Sequence, residues 1–203
     1  SDGTGRFTLP VEGGGTVTLV YVKGGLLTAH RQVPVGWNET AAADTVRLIG
    51  RDPAATTVVF DGNAETVVTH RSSEMVDTFG ARSCTLVFTG DNRAYQVDAA
   101  GQTIRQLDSI SARATEFARP EAMPALLPPD TGYTYCAELG ADGVERVRFA
   151  KPVIARVDNF LGFPVGQAVP AGYYDRDRAL RAAADNGRVV RLLDTDSDGR
   201  VDA

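Results

Sequence analysis

Pro120–Asp175 reads PEAMPALLPPDTGYTYCAELGADGVERVRFAKPVIARVDNFLGFPVGQAVPAGYYD, and the rest of the chain is read outward from it. Tyr133, Tyr135, Ala137 and Leu139 fall on alternate positions, with Thr134, Cys136 and Glu138 between them. A period of two marks a strand with one buried face. Asp142-Gly143 follows, a pair that tolerates positive φ in a tight hairpin, and Val144–Phe149 is the expected return strand. Pro152 can open the next strand but cannot donate within a ladder, so Val153, Ala155 and Val157 continue the alternation after it. Asn159–Gly166 (NFLGFPVG) is apolar yet broken by two glycines and a proline, an irregular segment with side chains to bury.

Upstream, the same alternation recurs in short runs. Strands are expected over residues 5–11, 16–21, 26–35, 46–49, 57–60 and 67–70. Further runs follow over 84–88, 94–97, 104–107 and 110–117, and a last strand over 189–193. Glycine-bearing turns punctuate them at Glu12–Gly15, Gly24-Gly25, Asp61-Gly62-Asn63, Gly90–Asn92 and Ala100-Gly101. The prolines between Arg119 and Asp130 exclude regular helix and ladder alike. Helix is expected only as one turn at Ala41–Ala43 and a short stretch at Ala179–Ala184, with Asn186-Gly187 as a turn. Many short strands with frequent turns imply an all-β chain, a β-sandwich of two packed Ig-like or transthyretin-like units with little helix. A polar run at Ser72-Ser73 suggests the boundary: a first sandwich over 1–72, a second over 73–193, and an acidic linker over 194–203.

The 203 residues suffice for a real core, and 43% hydrophobic with 23% charged residues is an ordinary globular composition. The net charge of −5, without a basic cluster, argues against nucleic acid as partner. No apolar run approaches the ~20 residues that span a bilayer. The opening SDGTG has neither an initiator Met nor a signal-type apolar segment and reads as an expressed or mature fragment of a longer protein.

Cys84 and Cys136 both lie in strand-like runs. Paired, they would close a loop of about 50 residues worth up to ~4 kcal/mol. Yet Cys84 shares a face with Leu86 and Phe88, whereas Cys136 shares one with Thr134 and Glu138, so a disulfide and two buried thiols both stay open.

The one chemical motif is the tail DTDSDGRVDA. Asp194, Asp196 and Asp198 occupy positions one, three and five of a calcium-type loop, with Gly199 at the sharp turn. Arg200 would offer its backbone carbonyl, and Asp202 would bind directly or through water. Such hard oxygen ligands suit Ca²⁺, although the chain ends before the bidentate carboxylate of position twelve. Catalytic constellations are not found: His30 and His70 are far apart and read as sheet-surface histidines, and no G-x-S-x-G surrounds a serine. Glu138 and Glu145 could meet across a hairpin as a glycosidase requires, but solvated glutamates are the commoner outcome. Tyr173 and Tyr174, and the loop carrying Phe160, Leu161 and Phe163, are the candidate partner-binding side chains.

Several long stretches, taken together, resemble a known group. They are GRFTLPVEGGGTVTLVYVKGGLL, RQVPVGWN, FGARSCTLVFTGDNRAY, RATEF, EAMPALLPP, GYTYCAEL, VRFAKPVIARVDNFLGFPVGQAVPAGYYDRDR and NGRVVRLLDTDSDG. They resemble the N-terminal, pre-shell region of large secreted bacterial RHS/YD-repeat proteins, the teneurin-like and polymorphic-toxin-like group. The resemblance implies that residues 3–33 are the later half of a carboxypeptidase-regulatory-like sandwich. It implies a second sandwich after it, weakly similar to the module of ankyrins and netrin receptors through VRFAKPV. It makes the tail the first of a series of thrombospondin-type-3-like acidic repeats. The implied role is a non-catalytic, extracellular or cell-surface structural module. Its partners would be the YD-repeat shell of its own polypeptide and a surface protein or glycan; any toxin activity would lie beyond the shell. The alternative is an adhesive or carbohydrate-binding sandwich of a secreted modular protein.

Overall fold

The structure is a computed structural model, and it describes residues 1–127 and 132–196. The chain is all-β, built of short strands with, among the described residues, a single 3-10 turn. It divides into two compact units, Ser1–Arg51 with Phe117–Cys136, and Asp52–Glu116 with Ala137–Ala203. The expected boundary at 72/73 lies elsewhere, because it would cut a strand pairing. Residues 67–71 bond to residues 85–89 in one ladder.

In the first unit, β1 (Gly15–Tyr21) pairs antiparallel with β2 (Ala29–Val35), from Gly15↔Val35 to Tyr21↔Ala29. Gly25, at φ +78°, shapes the turn that starts the return. Val17, Leu19 and Tyr21 are half-buried and stand opposite Val33, Arg31 and Ala29. The later segment is held to β2 by hydrogen bonds. The His30 N–H donates to the Pro124 carbonyl (2.7 Å), and the buried Arg31 guanidinium donates to the carbonyls of His30, Glu121 and Met123. Leu27, Phe117, Ala122 and Met123 form the core, with Ile49, Leu127, Tyr133 and Cys136 packed on it. The 3-10 turn Pro120–Ala122 begins on a proline, whose missing N–H costs nothing at a helix start. Residues 5–11 and 46–49 are not strands. Phe7, Leu9 and Val11 are exposed, and the Ile49 carbonyl accepts from the Leu27 N–H (2.8 Å) beside the isolated Leu26–Gly50 bridge.

Among its described residues, the second unit contains thirteen strands. They are β3 (Thr56–Val59), β4 (Val67–Arg71), β5 (Met75–Asp77), β6 (Gly80–Arg82), β7 (Cys84–Thr89), β8 (Ala94–Val97), β9 (Thr103–Leu107) and β10 (Ser109–Glu116), followed by β11 (Ala137–Ala141), β12 (Val147–Phe149), β13 (Ile154–Val157), β14 (Ala168–Asp175) and β15 (Leu180–Arg188). Three three-stranded sheets run β11-β10-β3, β13-β7-β4 and β12-β8-β9; two hairpins, β5-β6 and β14-β15, stand apart. β7 and β10 are the central strands of their sheets, and their alternate side chains Cys84, Leu86, Phe88 and Ile110, Ala112, Ala114 are buried. Phe149 packs its ring against both Phe88 and Phe60, at 5.9 and 6.2 Å between centroids.

Two expected hairpins turn out to be crossings between sheets. Asp61-Gly62-Asn63 does turn, with Gly62 at φ +81° and the Asp61 carboxylate accepting from the Asn63 N–H. However, β3 pairs with β10 while β4 pairs with β7. Asp142-Gly143 likewise closes a single bridge, Ala141↔Val144, after which β11 stays with β10 and β12 joins β8.

The expected helix at Ala179–Ala184 is instead the start of β15. Alanine favours a helix by well under 1 kcal/mol per residue, and pairing with β14 outweighs that. Ala179 at φ +50° and Asp175, whose carboxylate accepts the N–H groups of Asp177 and Arg178, close this hairpin. Asn186-Gly187 lies within β15 near the bulge at Val169/Ala171, and residues 189–193 are not a strand.

Candidate functional site

The polar groups that the sequence left unassigned converge on the interior of the second unit. His70, on β4, is fully buried, not on the sheet surface as expected. The Ala114 N–H of β10 donates to its Nε2 (3.1 Å), so that nitrogen carries no proton. Nδ1 then holds the proton and faces Thr56 Oγ1 of β3 at 3.0 Å. One imidazole therefore links β4 to both β3 and β10. Burial pushes its pKa below the ordinary 6.5, with Arg113 adding in the same direction and Asp52 opposing. His30 is also buried, at the second position of β2.

Arg82, at the end of β6, joins three further elements. Its guanidinium donates to Asp77 on β5 (2.7 Å) and to Glu116 on β10 (2.5 and 2.8 Å), and lies 4.6 Å from the Phe160 ring centroid. Its side chain is 5% exposed and that of Glu116 is 10% exposed. The two carboxylates raise the Arg82 pKa further above its already high value, and Arg82 together with the Phe79 N–H holds Asp77 below the usual carboxylate range. Phe160 is thus half-buried under a cation. Phe163 is half-buried too, and its backbone exchanges two hydrogen bonds with the Asn159 side chain. Leu161 remains exposed at the tip of this loop, beside Gly162 at φ +68°. Tyr173 is 55% exposed on β14, and Tyr174 is half-buried.

Between these sheets lies a cavity of about 160 Å³, lined chiefly by apolar groups including Leu86, Phe88, Ile110, Val147 and Phe149. Glu145 is its one charged lining residue. Glu138 and Glu145 have different surroundings. Glu138 accepts both bonds of a bidentate pair from Arg176 (2.9 Å each), while Glu145 stands at the cavity. Arg146, beside Glu145 in sequence, is bidentate to Asp177 (2.5 and 2.6 Å). Residues 176 and 177 form the tip of the β14–β15 hairpin, so the tip is anchored by two ion pairs next to the cavity-lining segment.

Both cysteines are present as thiols, Cys84 buried in the second unit and Cys136 half-buried in the first. Of the calcium-type motif, Asp194 and Asp196 are described, whereas Asp198, Arg200 and Asp202 lie outside the described residues. Among the described residues, no three His, Cys, Asp or Glu side chains gather as a metal site, and no helix is long and apolar enough to cross a membrane.

Sequence reading missed His70 and Arg82 for the same reason. Each sits in an ordinary strand, and its partners lie 14 to 44 residues away for His70 and 34 for Glu116. Only the run V-V-T-H-R of β4, with His70 two residues after Val68 where an inward apolar residue belongs, could have flagged the first. Comparison with known proteins returned no matching family model, no matching curated protein and no matching solved structure.

Proposed function

We propose that this chain is a non-catalytic structural and interaction module of a large extracellular RHS/YD-repeat protein, with a calcium-holding acidic stretch at its C-terminal end. The observation that carries the reading is the use made of the buried polar side chains. His70 and Arg82 each bond to two other strands, and Arg113 joins β10 to Asp142 and to the Asp52 carbonyl. Polar groups arranged this way give a sandwich a single well-defined packing. That is what a part needs when it must hold its place within a larger assembly. The long stretches resembling the pre-shell region support the family assignment, and the spacing of Asp194, Asp196, Asp198 and Asp202 supports calcium as the ion.

A second reading, adhesion through a glycan, is favoured by the exposure of Tyr173 on the two-stranded β14–β15 sheet. Trypsin digestion with calcium and with a chelator separates the two. The module reading expects calcium to protect the bond after Arg200 and expects no retention on a glycan array. Array binding that is lost in Tyr173→Ala selects the adhesive reading. Turnover of any compound by the purified protein, abolished by a substitution in the second unit, refutes both.

A further inference from the structure

We propose that the outward face of the β13-β7-β4 sheet binds a tetrahedral oxyanion, a sulfate or phosphate group, between Arg156, Thr85 and Arg71. The inference is independent of the RHS/YD-repeat assignment.

Strand register puts these three side chains in one row. Arg156 of β13 and Arg71 of β4 both stand opposite Thr85 of the central strand β7. Directly opposed residues of an antiparallel ladder share a face, and neighbouring strands lie about 4.8 Å apart. Cys84, Leu86 and Phe88 of β7 are buried on the inner face, so the row lies on the other side.

Three observations on that row point to an anion. First, Arg156 is half-buried, and its guanidinium has no hydrogen bond or ion pair among the described residues. In the same unit Arg82, Arg113, Arg146 and Arg176 each hold a carboxylate. The Arg156 Nε is sealed from water without an acceptor, so the group has lost hydration on one edge and gained no counter-charge. Second, Thr85 is only 8% exposed, although Val87 and Thr89 beyond it on the same face are half-buried. Long arginine stems beside it account for that cover. Its hydroxyl bonds to no other group among the described residues. Third, the Arg71 side chain crosses β7. One terminal nitrogen donates to Asp158 Oδ2 just past the end of β13 (2.9 Å), two residues beyond Arg156. That oxygen also accepts from the Ser83 N–H and hydroxyl (2.9 and 2.8 Å). Two arginines against one engaged aspartate leave an excess of positive charge here, on a chain of net charge −5.

The chemistry of the row selects the ligand class. Guanidinium groups donate charge-assisted, often bidentate bonds to oxyanions, and they repel metal cations. A tetrahedral group offers separate oxygens to all three donors, where a planar carboxylate has two. A single excess charge is far short of the basic surface that a nucleic acid requires.

The test titrates the intact chain with sodium sulfate and with sodium phosphate, at ionic strength held constant with sodium chloride. The readout is the NMR signal of the Thr85 amide and of the arginine Nε–H groups. Saturable shifts confined to residues around 71, 85 and 156 are expected, with a dissociation constant on the order of 1 mM. Phosphate should tighten relative to sulfate as the pH rises through its second ionisation. Arg156→Gln should weaken both by at least about tenfold, and Thr85→Val by about threefold, each removing a donor to a charged acceptor. Arg105→Gln, on the exposed β9, should leave binding unchanged. Circular dichroism checks the fold of each variant. Glucose 6-sulfate producing the same shifts would assign the site to an esterified group; its exclusion, with sulfate retained, would assign it to the free ion. Shifts no larger than those of chloride overturn the proposal. So does sulfate affinity that is unchanged in Arg156→Gln and in Thr85→Val.

Discussion

Replacing His70 by leucine keeps the volume of the side chain and removes its two hydrogen bonds, which isolates what the imidazole contributes. The Ala114 N–H is on a fully buried residue and would lose its acceptor. A buried donor left unsatisfied costs about 1–3 kcal/mol. Thr56 is half-buried, so its hydroxyl can turn to water, and the loss there is about 1 kcal/mol. The total of about 2–4 kcal/mol is a large part of the 5–15 kcal/mol by which a domain is usually stable. With a urea dependence of about 2 kcal/mol per molar, the unfolding midpoint followed by far-UV circular dichroism should fall by about 1–2 M. His70→Gln, whose amide oxygen can accept from Ala114, should recover part of the loss. Amide exchange at Ala114 should accelerate in the leucine variant and less in the glutamine variant. The pH dependence gives a second readout. Because the folded ring has a pKa below 6.5, the unfolded chain takes up a proton first as the pH falls. Stability should therefore decline as the pH drops below 6.5 and stop declining once the folded ring is itself protonated. His70→Gln should lack that component, and the difference between the two curves removes the contribution of the carboxylates. A midpoint shift below about 0.3 M for His70→Leu, with an unaltered pH curve, would show that the link between the sheets carries no weight.

Arg82→Met should destabilise the second unit by about 3–5 kcal/mol, because Glu116 would be left as a buried charge without its partner; urea unfolding measures it, and Arg82→Lys should restore only part, since a point charge cannot serve both carboxylates. Gly90→Ala should cost about 1–3 kcal/mol by thermal unfolding, because an added Cβ would sit 2.2 Å from Asp61 Oδ1 and 2.7 Å from the Asn63 carbonyl oxygen. Under native conditions a thiol reagent should modify the half-buried Cys136 well before Cys84, which peptide mass spectrometry reads directly. Acidification should weaken the Arg146–Asp177 pair, whose carboxyl is held below 3.8 by the guanidinium. The pair stabilises the hairpin tip above that value and is lost as the pH falls through the lower folded value, seen as faster amide exchange at residues 175–179.

The alternation of Cys84, Leu86 and Phe88, and the runs that became β1, β8 and β10, were legible because a strand with one buried face writes its period of two into the residues themselves. The D-G turns were legible as well, since positive φ selects glycine locally. Partner choice was not. Whether the strand after Asp61-Gly62-Asn63 returns to β3 or crosses to β7 depends on apolar surface contributed by residues far along the chain. The alanines of β15 show the same limit from the other side, for their helical preference is too weak to decide against a paired strand.

At the candidate site, the acidic motif, the tyrosines and the Phe160 loop could be picked out by residue type, but their surroundings could not. Phe160 reads as a free apolar side chain until Arg82 is seen over its ring. Glu145 reads as one of two hairpin glutamates until β12 leaves β11 and carries it to the cavity. The residues alone thus settled that this is an all-β chain with glycine turns, because those preferences act within a few bonds. Which strands lie together, which histidine is buried and which carboxylate meets an apolar wall were decided only by tertiary packing, because burial and hydrogen-bond satisfaction are properties of the whole folded neighbourhood.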